Sequence, residues 1–93
     1  MTTGERCQIK LRIEGRVQGV WFRGWTVREA GRLGLDGWVR NCADGSVEAV
    51  FSGPKDVVQD IIERCWRGPP YANVSSINET PFEGEIEPGF RQI

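Results

Sequence analysis

The stretch CQIKLRIEGRVQGVWFRGWTVREAGRL, residues 7–33, changes its hydrophobic period partway along. Apolar residues first alternate strictly with Gln, Lys and Arg over residues 7–13, which is the period of a strand with one buried face. From Phe22 the apolar positions follow helical spacing, and Gly34 stands where a glycine commonly ends a helix. The stretch therefore predicts a strand, a loop that begins at Gly15, and a helix of about eleven residues.

Residues 38–70 predict a hairpin followed by a second helix. Strands over residues 38–42 and 46–52 flank a short turn at residues 43–45. Gly53-Pro54 then opens a helix with proline at its first position. Because the apolar residues of this helix form one continuous stripe, we expect that face to be buried; the stripe consists of Val57, Val58, Ile61, Ile62, Cys65 and Trp66.

The end of the chain predicts a fourth strand over residues 73–79 and a short fifth strand over residues 90–93, at a sheet edge. The order β-α-β-β-α-β favours a ferredoxin-like sandwich, in which two helices cover one face of an antiparallel sheet. We expect residues 1–93 to form a single domain, because this length supports one core. Because the sequence begins and ends close to the expected limits of this domain, we expect no fusion to a larger enzyme.

This topology brings two polar segments to one edge of the sheet. The first strand runs up, the helix returns, and the second strand runs up again, so the carboxyl ends of both strands share one rim. Asn41 lies at the end of the second strand, and the glycine-containing loop over residues 15–20 follows the first. We therefore expect this loop and Asn41 to be neighbours in space.

The composition argues against several classes of protein. Cys7, Cys42 and Cys65 are odd in number and form no C-x-x-C pair, which argues against a disulfide framework and a zinc site. With no histidine in the chain, we expect no transition-metal site. The first fifteen residues resemble neither a secretory signal nor a membrane span, so we expect a cytoplasmic protein without a membrane partner.

Charge is distributed unevenly along the chain, although its formal net charge is only −1. Residues 1–42 carry eight Lys or Arg against four Asp or Glu, whereas residues 43–93 carry four against nine. The basic half contains the loop over residues 15–20. This polarity suits a small anionic ligand or a nucleic-acid backbone, and it also fits an ordinary solvated surface.

The segment GRVQGVWFRG, residues 15–24, has the features of an anion site. A glycine-rich turn before a helix aims unpaired N–H groups at one point, where the helix dipole adds about half a positive charge. Arg23 in the first helical turn costs about 0.3–1 kcal/mol, which a bound anion would offset. The alternative is that Gly15 and Gly19 only permit a tight corner and Arg23 points into solvent; neither a P-loop nor a dinucleotide motif is present.

Four separate blocks of the chain carry a family resemblance. They read GRVQGVWFR over residues 15–23, LGLDGWVRN over 33–41, DGSVEAVFSGP over 44–54 and GPPYANV over 68–74. In this order they resemble the acylphosphatase family from end to end. The resemblance implies a hydrolase that cleaves the mixed anhydride of a carboxylic acid and phosphate.

The resemblance also implies a role for particular residues. The family's essential arginine falls on Arg23, and its essential asparagine falls on Asn41. In the family, the water's proton passes to the phosphate itself. The resemblance further implies that loop amides wrap the phosphoryl group; in this chain they belong to Arg16, Val17, Gln18, Gly19 and Val20.

Simple chemistry agrees with this assignment. The leaving group is a carboxylate whose conjugate acid has a pKa of about 4 to 5, so no side chain needs to protonate it. Because Arg23 stays charged and Asn41 does not titrate, we expect them to hold charge and to orient water. We expect a monomeric enzyme with a small-molecule acyl phosphate substrate and no cofactor. Phosphate should be both product and competitive inhibitor.

The rival hypothesis is a non-catalytic module of the same fold that senses an anion or binds RNA. Four tryptophans and Phe22 could stack on bases, as aromatics do in sheet-based RNA binders. The third strand reads SVEAVFS, however, without the glycine, aromatic and basic signature of those proteins. We therefore expect no nucleic-acid partner and assign the aromatics to packing. Trp21 in the loop carries a separate hypothesis, namely that it lines the entry for the acyl group.

Overall fold

The computed structural model describes residues 5–93. Residues 1–4 lie outside this range, although they belong to the expected 1–93 domain and to the N-terminal segment that was compared with a secretory signal. The described chain forms two helices and five strands. In chain order these are β1 (Arg6–Arg16), α1 (Phe22–Arg32), β2 (Asp36–Asn41), β3 (Val47–Pro54), α2 (Lys55–Arg67), β4 (Asn73–Pro81) and β5 (Phe90–Gln92).

The strands form one sheet in the order β4-β1-β3-β2-β5. β1 is antiparallel to both β3 and β4, and β2 is antiparallel to β3. The predicted sandwich is confirmed, but the sheet is mixed rather than purely antiparallel, because β5 lies parallel to β2. Residues 82–89 connect β4 at one edge to β5 at the other, and the chain therefore arrives beside β2 in the same direction as that strand.

The core lies between the sheet and the two helices. α1 packs on β2 and β5, whereas α2 packs on β1, β3 and β4. The alternation predicted for β1 is observed, since Leu11 and Ile13 are fully buried. Each such side chain contributes about 1.5–3 kcal/mol through its burial. At the sheet edge, Phe90 stacks on Phe51 with 5.3 Å between ring centroids, which anchors the short β5 to the core.

β1 is longer than its alternating pattern predicts. It continues to Arg16 through a register shift between Glu14 and Gly15, so the loop begins at Val17 rather than at Gly15. Gly15 has φ +121°, and a Cβ there would collide with the backbone oxygen of Asn73. The bulge therefore requires glycine for steric reasons, and the strand does not end there.

The second helix also differs from its sequence pattern in two details. Pro54 precedes the first residue of α2 instead of occupying it. Trp66, placed in the apolar stripe, is 49% exposed. The buried face of α2 consists of Val58, Ile61, Ile62 and Cys65. Trp66 lies about 100° around the helix axis from Cys65 and so falls outside this face.

No helix among residues 5–93 is long and apolar enough to cross a membrane.

Candidate active site

A pocket of about 210 Å³ opens at the rim shared by the carboxyl ends of β1 and β2. The loop after β1, the first turn of α1, the end of β2 and the edge strand β5 all contribute to its walls. The lining residues are Val17, Gly19, Trp21, Phe22, Arg23, Gly24, Asn41 and Gln92. The structure thus brings the loop, Arg23 and Asn41 together, as the parallel directions of β1 and β2 require.

The expected loop residues contribute to this site in different ways. Val17 and Gly19 line the pocket, although the Val17 side chain is itself almost completely buried. Arg16 is the last residue of β1, where it lies opposite Asn73 with an exposed side chain. Gln18 and Val20 are not among the lining residues, and the Gln18 side chain bonds instead to the hairpin after Asn41.

Gln92 is a lining residue that the sequence did not indicate. It lies in β5, and its Cα pairs with that of Val39 in β2. A lone glutamine near the end of the chain matches no motif. Its place in the pocket depends on the parallel pairing of β5, which no local pattern predicts.

The loop presents main-chain donors without a partner in the part of the chain that the structure describes. Within residues 5–93, no acceptor receives a hydrogen bond from the N–H groups of Gln18, Gly19 or Val20. Gly19 has φ +74°, in the left-handed region that favours glycine. Together with the free N–H groups of the first turn of α1, these donors form a cluster that suits an anion.

Helix α1 begins without the usual stabilising features. Its N-cap residue, Trp21, has φ 68° and ψ 26°, and no side chain caps the helix. A non-glycine residue in this left-handed conformation costs about 1–2 kcal/mol. The first turn contains no acidic residue, so the positive end of the helix dipole is not neutralised by its own side chains.

Arg23 adds a full positive charge to this helix start. Within residues 5–93, no carboxylate forms an ion pair with it, and its side chain is half-buried on the pocket wall. Other arginines of the chain are engaged: Arg40 lies 2.6 Å from Glu48, and Arg64 lies 2.9 Å from Glu29. The Arg23 guanidinium is therefore available to a ligand in the pocket.

The Gln18 side chain joins the loop to the hairpin that follows Asn41. Its Nε2 donates hydrogen bonds of 2.8 Å to the carbonyl oxygens of Cys42 and Ser46. Asp44 closes the same hairpin by accepting hydrogen bonds from the N–H group of Ser46 at 3.0 Å and from its hydroxyl at 2.7 Å. Since Cys42 directly follows Asn41, the Gln18 contacts fix the end of β2 relative to the loop.

The lining residues, all within the described chain, include no carboxylate and no thiol. Glu48 on the neighbouring strand is held by Arg40 and by Lys10, whose Nζ lies 3.6 Å from it. Burial raises the pKa of the Cys65 thiol to about 12, so this group stays protonated at neutral pH. Among residues 5–93, no group of three or more His, Cys, Asp or Glu is placed to hold a metal ion.

The fold and the pocket define the class of this protein: a ferredoxin-like sandwich with unpaired amides, an arginine and an asparagine around one small cavity. The family model described as acylphosphatase matches residues 9–92. The chain therefore belongs to the acylphosphatase family, and acylphosphatase activity follows from that membership.

Curated relatives and solved structures agree with this assignment. The acylphosphatase of Rhizorhabdus wittichii is 53% identical over 88 residues, which cover 95% of this chain and 89% of the relative. That of Rhodospirillum rubrum is 54% identical, with 90% and 92% covered. The Coxiella burnetii acylphosphatase structure has a TM-score of 0.91 at 35% identity and covers 100% of this chain and 98% of its own. The Bacillus subtilis acylphosphatase gives 0.88 at 33% identity, covering 96% and 99%. The predicted family and fold are confirmed.

Proposed function

We propose that this protein hydrolyses the carboxyl–phosphate bond of small-molecule acyl phosphates in the pocket at the start of α1. One observation carries this proposal: Gly19, Arg23 and Asn41 line one cavity, and within residues 5–93 neither the N–H group of Gly19 nor the guanidinium of Arg23 has a partner. Its volume of about 210 Å³ is large enough for a phosphoryl group and part of an attached acyl group.

The phosphoryl group is held by main-chain amides and by one side chain. The amides are those of Arg16 at the end of β1 and of the loop residues Val17, Gln18, Gly19 and Val20. Arg23 offers a forked pair of N–H groups that matches two phosphoryl oxygens. Charge on the equatorial oxygens in the transition state thus meets donors that are already in place. The positive end of α1 adds to this stabilisation.

Asn41, which lines the same pocket, orients the attacking water. The water oxygen bonds to phosphorus while the bond from phosphorus to the bridging oxygen breaks. The carboxylate leaves with the bonding electron pair, and both water protons end on the phosphate. Because the carboxylate is a good leaving group, the reaction needs neither a general acid nor a metal ion or organic cofactor. Phosphate, the product, competes with substrate for the same donors.

The rival RNA-binding function is less well supported by the surface of the sheet. Such binders stack bases on exposed aromatics of the open sheet face. Here Trp38 is only half exposed and packs edge-on against Phe82, with 6.3 Å between ring centroids. Beside it, Glu48 pairs with Arg40 and Lys10, so these cations are already partly neutralised. We further propose a cytoplasmic, monomeric, single-domain enzyme with no nucleic-acid or membrane partner.

The test is the hydrolysis of benzoyl phosphate by the wild-type protein and by Arg23→Ala. Loss of a preorganised oxyanion contact costs about 10²–10³ in kcat, so the variant should be almost inactive and should bind phosphate more weakly. Arg23→Lys should behave similarly, because an ammonium group cannot replace the fork. Arg67→Ala, which removes an exposed arginine in the last turn of α2, is the matched control and should retain wild-type rates. Equal rates in wild type and Arg23→Ala, or no hydrolysis in either, would refute the proposal.

A further inference from the structure

Trp21 stands out from the other residues of the pocket. Within residues 5–93, it is the one non-glycine residue with a positive φ. It lines the pocket, yet 56% of its surface is exposed. Burial in the core therefore does not explain why the chain places a large apolar ring at a strained position.

Two residues of α1 hold the indole in a defined place. The Arg28 guanidinium carbon lies 4.9 Å from the ring centroid, in a cation–π arrangement. Gly24 lies directly against the five-membered ring, where a Cβ would come within 2.7 Å of Trp21 Cδ1 and Cε2. Positions 24 and 28 are about one turn apart, so the indole lies along this face of the helix. The absence of a side chain at Gly24 is what allows the ring to approach.

The indole is within the same pocket as the proposed phosphoryl site, because Trp21, Arg23 and Gly24 all line it. If the phosphoryl group is bound at Arg23, the acyl group attached to it must lie against other parts of the pocket lining. Trp21 contributes a large and partly exposed aromatic surface to that lining. An apolar acyl group would cover ring surface that is otherwise in water, whereas an acetyl group offers little area to do so.

We propose that Trp21 is a specificity-determining residue and that the enzyme prefers acyl phosphates with an aromatic or extended apolar acyl group. This inference rests on the proposed function, since it assumes that the phosphoryl group lies at Arg23. The indole contacts a part of the substrate that does not react. Its contribution therefore changes the ratio of kcat/KM between substrates of different acyl size.

The experiment compares benzoyl phosphate with acetyl phosphate in wild type, Trp21→Asn and Trp21→Phe. Asparagine tolerates the left-handed conformation, so Trp21→Asn removes the ring without adding backbone strain. In Trp21→Asn, the ratio of kcat/KM for benzoyl phosphate to that for acetyl phosphate should fall about tenfold. Trp21→Phe should retain most of the ratio. The control is Trp66→Ala, which removes another half-exposed tryptophan that does not line the pocket, and its ratio should equal that of wild type.

The possible failures are distinguishable. If wild type hydrolyses both substrates and Trp21→Asn keeps the same ratio, this inference is wrong while the proposed function stands. The same holds if both substrates lose activity equally in Trp21→Asn, because the ring would then support the loop and not the acyl group. If wild type hydrolyses neither substrate, the proposed function fails, and the inference fails with it.

Discussion

Helices α1 and α2 lie side by side on the same sheet face, but their first turns are built in opposite ways. α2 has Asp56 in its first turn and Arg64 and Arg67 in its last, which is the arrangement that complements a helix dipole. α1 has Arg23 in its first turn, no acidic residue there, and the strained Trp21 as its N-cap. At the start of α2 the Asp56 carboxylate, next to Lys55, offsets part of the positive dipole, whereas the start of α1 has no carboxylate to do so.

The contrast extends to the segments that lead into the two helices. The entry to α2 is tied to the start of β1 by a backbone hydrogen bond of 3.0 Å from the N–H group of Lys55 to the carbonyl oxygen of Glu5. The loop before α1 instead keeps the N–H groups of residues 18–20 without an acceptor in the described chain and is fixed by the Gln18 side chain. Of the two helix starts, the less stabilised one therefore lies beside the pocket, and strain is commonly located at functional sites.

The largest effect is expected for a substitution of Asn41, which lines the pocket beside the start of α1. Asn41→Ala should reduce kcat about 10²-fold or more, because the attacking water loses its orientation. Phosphate inhibition should change little, because the loop amides and Arg23 remain. Steady-state kinetics on benzoyl phosphate with phosphate as inhibitor would measure both quantities. Asn78→Ala, at an exposed position of β4, should leave both unchanged. Parallel loss of kcat and phosphate affinity in Asn41→Ala would indicate a structural role.

A smaller effect is expected for the amide that fixes the loop. Gln18→Ala removes two hydrogen bonds of 2.8 Å, each contributing about 0.5–1.5 kcal/mol to stability. It should also lower kcat about tenfold, since the end of β2 that carries Asn41 is no longer held against the loop. Urea unfolding and kinetics would give the two values.

Gln8 provides a matched control for this prediction. Its Nε2 also donates to two carbonyl oxygens, those of Phe82 at 3.0 Å and Gly84 at 2.9 Å, and neither acceptor lines the pocket. Gln8 Oε1 also accepts a hydrogen bond of 3.1 Å from the Ser52 hydroxyl, so Gln8→Ala should lose at least as much free energy of unfolding as Gln18→Ala, with an unchanged kcat. If both variants lose stability and both retain kcat, Gln18 has no positioning role.

The smallest predicted effect compares the two helix starts directly. Arg23→Met removes the charge at nearly equal helix propensity and should raise the free energy of unfolding by about 0.3–1 kcal/mol in phosphate-free buffer. Asp56→Asn should lower it by a similar amount, because the charge that complements α2 is lost. Urea titrations of the variants against wild type would measure both differences.

Added phosphate should make wild type more stable than Arg23→Met, which is the opposite of the order expected in phosphate-free buffer. A ligand that binds only the native protein stabilises it by RT ln(1 + [L]/Kd), so phosphate should stabilise wild type more than Arg23→Met, which binds phosphate more weakly. The Asp56→Asn protein should gain as much as wild type. Destabilisation of Arg23→Met without phosphate would mean that Arg23 supports the fold rather than a ligand.

Much of this architecture is already determined by short-range patterns. The alternation over residues 7–13 and the helical spacing from Phe22 specify strand and helix, because burial of one face acts on every second or every third to fourth residue. Arg23 and Asn41 could be singled out as well, since a cation at a helix start and the family blocks are visible without coordinates. Both residues lie at the same rim because β1 and β2, joined by α1, run in the same direction, as the β-α-β order of the chain predicts.

Other features depended on contacts between distant residues. The alternating pattern could not show that β1 continues to Arg16, because Gly15 fits that bulge only beside the backbone of Asn73. Gln92 reaches the pocket only because β5 crosses to the far edge and lies parallel to β2. The left-handed Trp21 and its packing on Gly24 likewise require the loop and helix to be assembled. The sequence by itself thus determined the elements and the charged groups, whose causes are local. Only the tertiary structure decided which surfaces complete the pocket, because those contacts join segments far apart in the chain.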